Sequence, residues 1–225
     1  MFPNKPVKSF ILPARIISTP NLVSRTISTP KSTFSTIINE GHFVELSSWI
    51  NRKSEAYSSN IPHEFQLILR GSRDDFYPKT FWNRCHGHAC TIVVAKISGT
   101  DEIIGGFNPL AWDSSKAGDL MKTHDSFIFS LKNGNIQNSI LSRVIDSSGA
   151  LHNPNDQSSY GPWFGSREFM MKSKDSDFTR DKQCWCGNNN VYYKKPIRTT
   201  SETFSIVDYE VFKVIKKKIP KSTIR

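Results

Sequence analysis

The sequence predicts a single α+β domain dominated by sheet, and three observations carry that prediction. Residues 65–70 set Phe65, Leu67 and Leu69 against Gln66, Ile68 and Arg70, the period of two of a strand with one mainly buried face. Residues 91–97, Thr-Ile-Val-Val-Ala-Lys-Ile, are β-branched and apolar in the same way. The 15 Phe, 6 Tyr and 5 Trp among 225 residues suit a sheet-rich core better than a helical bundle. With 37% hydrophobic residues there is material for one core, and no run approaches the 18 apolar residues of a membrane span.

Taken in order, the ordered part starts near Phe34. Ser35 or Asn39 can cap a helix in which Ile37, Ile38, His42, Leu46, Trp49 and Ile50 fall close to one face at three- and four-residue spacing, and residues 58–62 end it. The 65–70 strand then breaks at Gly71, which is followed by the opposite-charge pair Arg73 and Asp74, by Asp75, and by a helix-like segment from Phe76 through Phe81 and Trp82. Pro78 suits a first helical position. Strand 91–97 leads through the polar turn 98–102 to Ile103-Ile-Gly-Gly-Phe107, a hairpin whose paired glycines predict close backbone packing or a bulge. Further strands are predicted at 127–131, 139–144 and 204–215, with Asn133-Gly134 as a turn. Residues 146–162 and 172–195 are rich in Asp, Asn, Ser, Gly and Lys with little periodicity, and read as long loops that are functional or mobile.

The formal charge of +10 looks like a nucleic-acid signal until it is located. Residues 1–38 hold five basic residues and no acid, and residues 211–225 hold six basic residues and no acid. Residues 39–210 carry 19 basic and 20 acidic residues, so the body is neutral and specific nucleic-acid binding is not expected. The first segment repeats Arg15-Ile-Ile-Ser-Thr-Pro20 as Arg25-Thr-Ile-Ser-Thr-Pro30. Pro3, Pro6, Pro13, Pro20 and Pro30 oppose a helix, so residues 1–33 read as a disordered basic linker and residues 216–225 as a basic tail. A mitochondrial transit peptide is the alternative, because the stretch is basic, Ser/Thr-rich and free of acids; the prolines speak against its amphipathic helix. A secretory core is cut short by Pro13, and the location expected is cytoplasmic.

Several residue sets invite chemistry. Cys85-His86-Gly-His88-Ala-Cys90 with Cys184 and Cys186 offers zinc ligands, but the spacing matches no standard knuckle, and packing thiols beside a surface His-Gly-His turn are the expectation. A redox role for Cys184 and Cys186 needs an accessible, electropositive setting, for which Arg180, Lys182, Lys194 and Lys195 are the available charges. Gly105-Gly106 lacks phosphate-loop spacing, and Ser72 between Gly71 and Arg73 has no histidine implied as its base. The acid pairs Asp74-Asp75 and Asp208/Glu210 could serve as acid and base. The simpler expectation is that Glu210 is held by a buried arginine such as Arg73. No catalytic residue, metal ligand or cofactor is assigned.

The same residues carry a resemblance. The Arg70-Gly-Ser-Arg-Asp74 turn with Phe76, the helix holding Phe81 and Cys85, Gly105-Gly106 with Trp112, the strand holding Phe129, Gly161-Pro-Trp-Phe-Gly165, and the last strand with Asp208 and Glu210 follow one another from about residue 34 to 215. In this order they resemble the TLDc domain family of oxidation-resistance proteins. The resemblance implies a central sandwich of two antiparallel sheets flanked by helices over residues 34–215. It also implies a structural or interaction role for Arg70, Gly71, Ser72, Arg73, Asp74, Phe76, Gly105, Gly106, Trp112, Phe129, Gly161, Gly165, Asp208 and Glu210. The resemblance further implies protection against oxidative stress and engagement of the cytosolic sector of the vacuolar proton pump. In the fungal-style relatives a linker like residues 1–33 follows a BTB-type adaptor module, so the chain reads as a fragment of that kind. Two departures stand out: Asp75 occupies a position usually held by glycine, where aspartate tolerates left-handed backbone, and Gly118-Asp119-Leu120 replaces a second Gly-Trp. Two further readings are a thiol- or carboxylate-based peroxide-detoxifying enzyme and the recognition half of a BTB-type ubiquitin-ligase adaptor.

Overall fold

In a computed structural model the described residues are 35–57 and 61–217. The chain divides into two units, Met1–Thr33 and Phe34–Arg225. The first unit, residues 58–60 and the tail from 218 onward lie outside the described residues, as do the linker and transit readings that fall there.

Helix α1 spans Glu40–Ile50. Asn39 caps it, its side chain accepting the His42 amide at 3.0 Å while His42 Nδ1 accepts the Asn39 amide, so two otherwise orphaned donors are satisfied. Ser35 caps an earlier turn instead, its hydroxyl accepting the amides of Ile37 and Ile38. The helix stops at Ile50, well before the predicted terminator at 58–62. Strand β1 follows at His63–Arg70, then one helical turn α2 at Gly71–Asp74 and helix α3 at Pro78–Cys85. Helix α3 begins at Pro78, the first position expected for it, and Phe76 and Tyr77, included in the broader helix-like segment, lie before it; proline at the first position loses no intrahelical hydrogen bond.

The remaining strands are β2 Thr91–Ile97, β3 Ile103–Asn108, β4 Leu120–Met121, β5 Phe127–Leu131, β6 Ile140–Arg143, β7 Leu151–His152, β8 Tyr160–Phe164, β9 Phe169–Lys172 and β10 Ile206–Lys216. They form two antiparallel sheets, one ordered β1-β10-β2-β3-β5-β6 and the other β4-β7-β8-β9. The resulting architecture is the expected helix-flanked sandwich. Segment 146–162 is not one loop: it holds a helical turn at Ser147–Gly149, strand β7 and the start of β8. These strands are too short, and too interrupted by Gly and Pro, for a period of two to show.

Strands β2, β3 and β5 are apolar on both faces because both faces are covered. Val93, Ala95, Ile104 and Ile128 pack between the sheets with Leu151, Phe164, Phe169 and Met171 of the smaller one. Ile92, Val94, Phe129 and Phe212 pack on the opposite face with Ile38 and Leu46 of the α1 segment. β1 serves both cores, since its register slips between Leu67 and Leu69: Phe65 belongs to the helix-side core and Leu69 to the inter-sheet core. The single buried face predicted for β1 is corrected by that irregularity. Gly105 and Gly106 pair in continuous register with both neighbours, so the paired glycines mark close packing and no bulge.

Candidate functional site

Glu210 lies mid-strand in β10, between β1 and β2, and its side chain is fully buried. Its register partner in β1 is Arg70, whose Nε donates to Oε1 at 2.7 Å. The Thr36 amide and hydroxyl donate to the same oxygen at 3.0 and 3.1 Å, and the Ser35 hydroxyl donates to Oε2. One buried carboxylate thus ties the segment leading into α1 to β10, the strand next to the edge of the large sheet, with the charge compensated by several donors.

The neighbouring Asp208 accepts the Ser72 amide at 3.0 Å, the Ser72 hydroxyl at 2.6 Å and its own following amide, Tyr209, at 2.8 Å. Asp74 accepts the Arg70 amide at 3.0 Å and a bidentate contact from Arg73, with Arg84 at 3.5 Å. The hydrogen bonds from Arg73 hold the Asp74 carboxyl below the ordinary aspartate range despite partial burial. Gly71 sits where a Cβ would come within 2.4 Å of the Phe76 ring and 2.8 Å of Tyr209, so only glycine admits that approach.

Arg73 is therefore not the partner of Glu210. It is half exposed and pairs with adjacent Asp74, whereas Arg70 is 18% exposed and meets Glu210. The reason is positional: Arg70 ends the strand that lies beside Glu210, and Arg73 is carried three residues on by the helical turn toward solvent. Asp75 adopts φ 119° and ψ 175°, outside the left-handed well that aspartate tolerates and in a region essentially restricted to glycine. Its carboxylate accepts the Tyr77 amide at 2.9 Å, a local compensation for that backbone.

The other motif residues gather in the packing layers. Gly105 leaves room for the Phe129 ring and Gly106 for the Phe164 ring, where a Cβ would sit 2.5 Å from each. Trp112 is fully buried, donates to the Thr91 hydroxyl at 2.8 Å, and meets Phe81, Trp82 and Phe164 edge-on. Gly161 lies against Phe178, whose ring meets Tyr209 at 5.6 Å, and this links the aromatic layer to Gly71. Gly165, at φ 63°, faces the Glu168 carboxylate. The motif thus forms two groups: a charged cluster of Arg70–Asp74 residues with Asp208 and Glu210, and a glycine-aromatic packing group.

Three of the four thiols are buried. Burial pushes Cys184 up to about 12 and raises Cys85 and Cys186 further. Cys90 is exposed at the mouth of β2, and His86 is held by the Ser114 amide at 3.0 Å. Among the described residues no three of His, Cys, Asp and Glu converge as a metal site. Arg180, offered as an activating charge, pairs with Asp177 at 3.3 Å.

Sequence reasoning missed the Ser35 and Thr36 contacts to Glu210, the Arg198–Glu102 ion pair, and buried Glu168, which accepts the Tyr192 amide at 2.7 Å. Ser35 had drawn notice only as a cap, and nothing local points from residue 35 to residue 210. The loop 172–195 that hides Cys184 is pinned by paired bonds from Cys184 to Phe204 and from Trp185 to Met170.

The fold and its cluster define a two-sheet α+β sandwich whose motif acids are engaged by motif donors. The TLDc domain family model matches residues 31–215, and the chain belongs to that family. The family is one associated with oxidative stress. A comparison with individual curated proteins gives no match.

Proposed function

We propose that this TLDc domain acts as a non-catalytic protein-binding module in oxidative-stress resistance, and that its partner is the cytosolic sector of the vacuolar proton pump. The observation carrying this reading is the saturation of the motif: Asp74, Asp208 and Glu210 already accept from Arg73, Ser72 and Arg70. Buried carboxylates used in this way hold the backbone of the motif in place, which is a structural use of their charge. The burial that raises Cys184 works against thiol reduction of peroxide in the same sense. Binding by a rigid sandwich needs neither cofactor nor metal, and the module works in the cytoplasm, where the pump's cytosolic sector is reached.

The test is direct binding of the full chain to the purified cytosolic sector, read by surface plasmon resonance. Saturable binding is expected. Lack of binding by a chain that is folded by circular dichroism overturns the choice of partner. A fluorescent fusion of the chain that enters mitochondria overturns the location.

A further inference from the structure

β1 is an edge strand, bonded in the large sheet to β10 alone. The direction of its outer groups follows from the ladder. The Val214 amide donates to Cys90 at 2.7 Å, toward β2, so its opposite residue Phe65 exchanges no hydrogen bonds with it and turns its own N–H and C=O outward. By the same alternation His63 and Leu67 also present their backbone groups to the open side. Lys217, of opposite phase, donates to Pro62 as that alternation requires. Among the described residues no backbone group bonds to this edge along residues 63–67.

A cleft of about 460 Å³ opens beside that edge, between α1 and β1. Phe43, Val44, Ile61 and Phe65 make its apolar lining. One end is positive. Lys216 and Lys217 are exposed and neither is in an ion pair among the described residues; burial first, and then their charges, depress His63. His63 is itself fixed by Ser47 at 2.6 Å. Glu40 and Glu64 also line the cleft, Glu64 beside His63 in β1, and the complement for an acid is Lys216 and Lys217.

We propose that this groove binds an extended segment of a partner protein, which adds as a strand to β1, seats one apolar side chain in the cleft, and sets a carboxylate two residues away against Lys216 and Lys217. An open strand edge flanked by a helix supplies main-chain affinity, and alternate side chains supply selectivity. The two-residue spacing follows because only every second side chain of an added strand faces α1. This deepens the binding reading above and rests on it.

The probe is a fluorescein-labelled, end-blocked peptide Thr-Glu-Thr-Leu-Thr-Glu-Thr, which presents Glu-Leu-Glu on one face in either strand direction. With the full chain, anisotropy is expected to saturate with a Kd at or below about 100 µM. Val44→Asp, and Lys216→Glu with Lys217→Glu, are each expected to weaken binding at least about tenfold. Replacing the peptide's Leu by Thr, or N-methylating every second residue in one of the two phases, has the same effect, and hydrogen exchange slows at His63, Phe65 and Leu67. Equal binding of the Leu-to-Thr peptide marks plain electrostatics and overturns the proposal. So does equal binding of both N-methylated phases, or no saturation at about 1 mM. If wild type and both variants bind the pump sector equally well, the groove is wrong and the binding reading stands. If the chain binds the peptide and not the pump sector, the choice of partner is wrong and the groove stands.

Discussion

Replacing Arg70 by methionine keeps most of the side chain's volume and removes the charge that faces Glu210. Removing one partner from a fully buried ion pair costs about 3–5 kcal/mol, because the other charge is stranded. Here two corrections reduce that figure. Arg70 is 18% exposed, so water already screens part of the contact, and Ser35 and Thr36 continue to donate to the carboxylate after the change. The expected loss is about 2–3 kcal/mol, in the range of a hydrogen bond to a charged group. For a domain of this size each kcal/mol moves Tm by about 2–4 °C, which puts the drop at about 4–12 °C. Arg73→Ala, which opens a half-exposed pair, is expected to cost about 0–1 kcal/mol and move Tm by less than about 4 °C. Urea unfolding of the two variants side by side gives both numbers. If Arg73→Ala is the more damaging of the two, or if Arg70→Met leaves the midpoint unchanged, the assignment of Arg70 to Glu210 is wrong.

Asp75→Gly relieves a backbone that glycine alone adopts freely, and is expected to stabilise the domain by about 1 kcal/mol after loss of the Tyr77 amide contact, read as a raised urea midpoint. Asp74 is depressed in the folded state, so the stability it contributes is present above its ordinary value of 3.8 and is lost as pH falls through the lower folded value. Asp74→Asn is therefore expected to flatten the stability profile below about pH 4, and an unchanged acid slope contradicts the pairing with Arg73. Gly106→Ala drives a methyl into the Phe164 ring and is expected to cost about 1–3 kcal/mol, measured by thermal unfolding.

Much of the fold was legible because its central strands announce themselves. Thr91–Ile97 and Phe127–Leu131 have the bounds that β-branched and aromatic runs predict, and Asn39 and Pro78 mark helix starts by their own chemistry. The smaller sheet was illegible for a physical reason: Leu151–His152 is two residues long and owes its strand geometry to its neighbours. Glu210 was legible as a buried acid needing a cation. Which arginine answered it depended on the β1–β10 register, and the contribution of Ser35 depended on where the chain returns across 175 positions. Neither is encoded in local pattern. The irregularity after Leu67 likewise moved Leu69 into the other core without a Gly or Pro to signal it.

If the domain works by binding, as proposed, its thiols play no chemical part. The most direct test replaces Cys184 and Cys186 together by alanine and returns the full chain to cells lacking the native protein, with survival of a peroxide challenge as the readout. Buried thiols that only fill space predict survival equal to wild type at temperatures where the variant is folded. Survival lost while the folded variant still binds the pump sector contradicts the account and makes thiol chemistry the function.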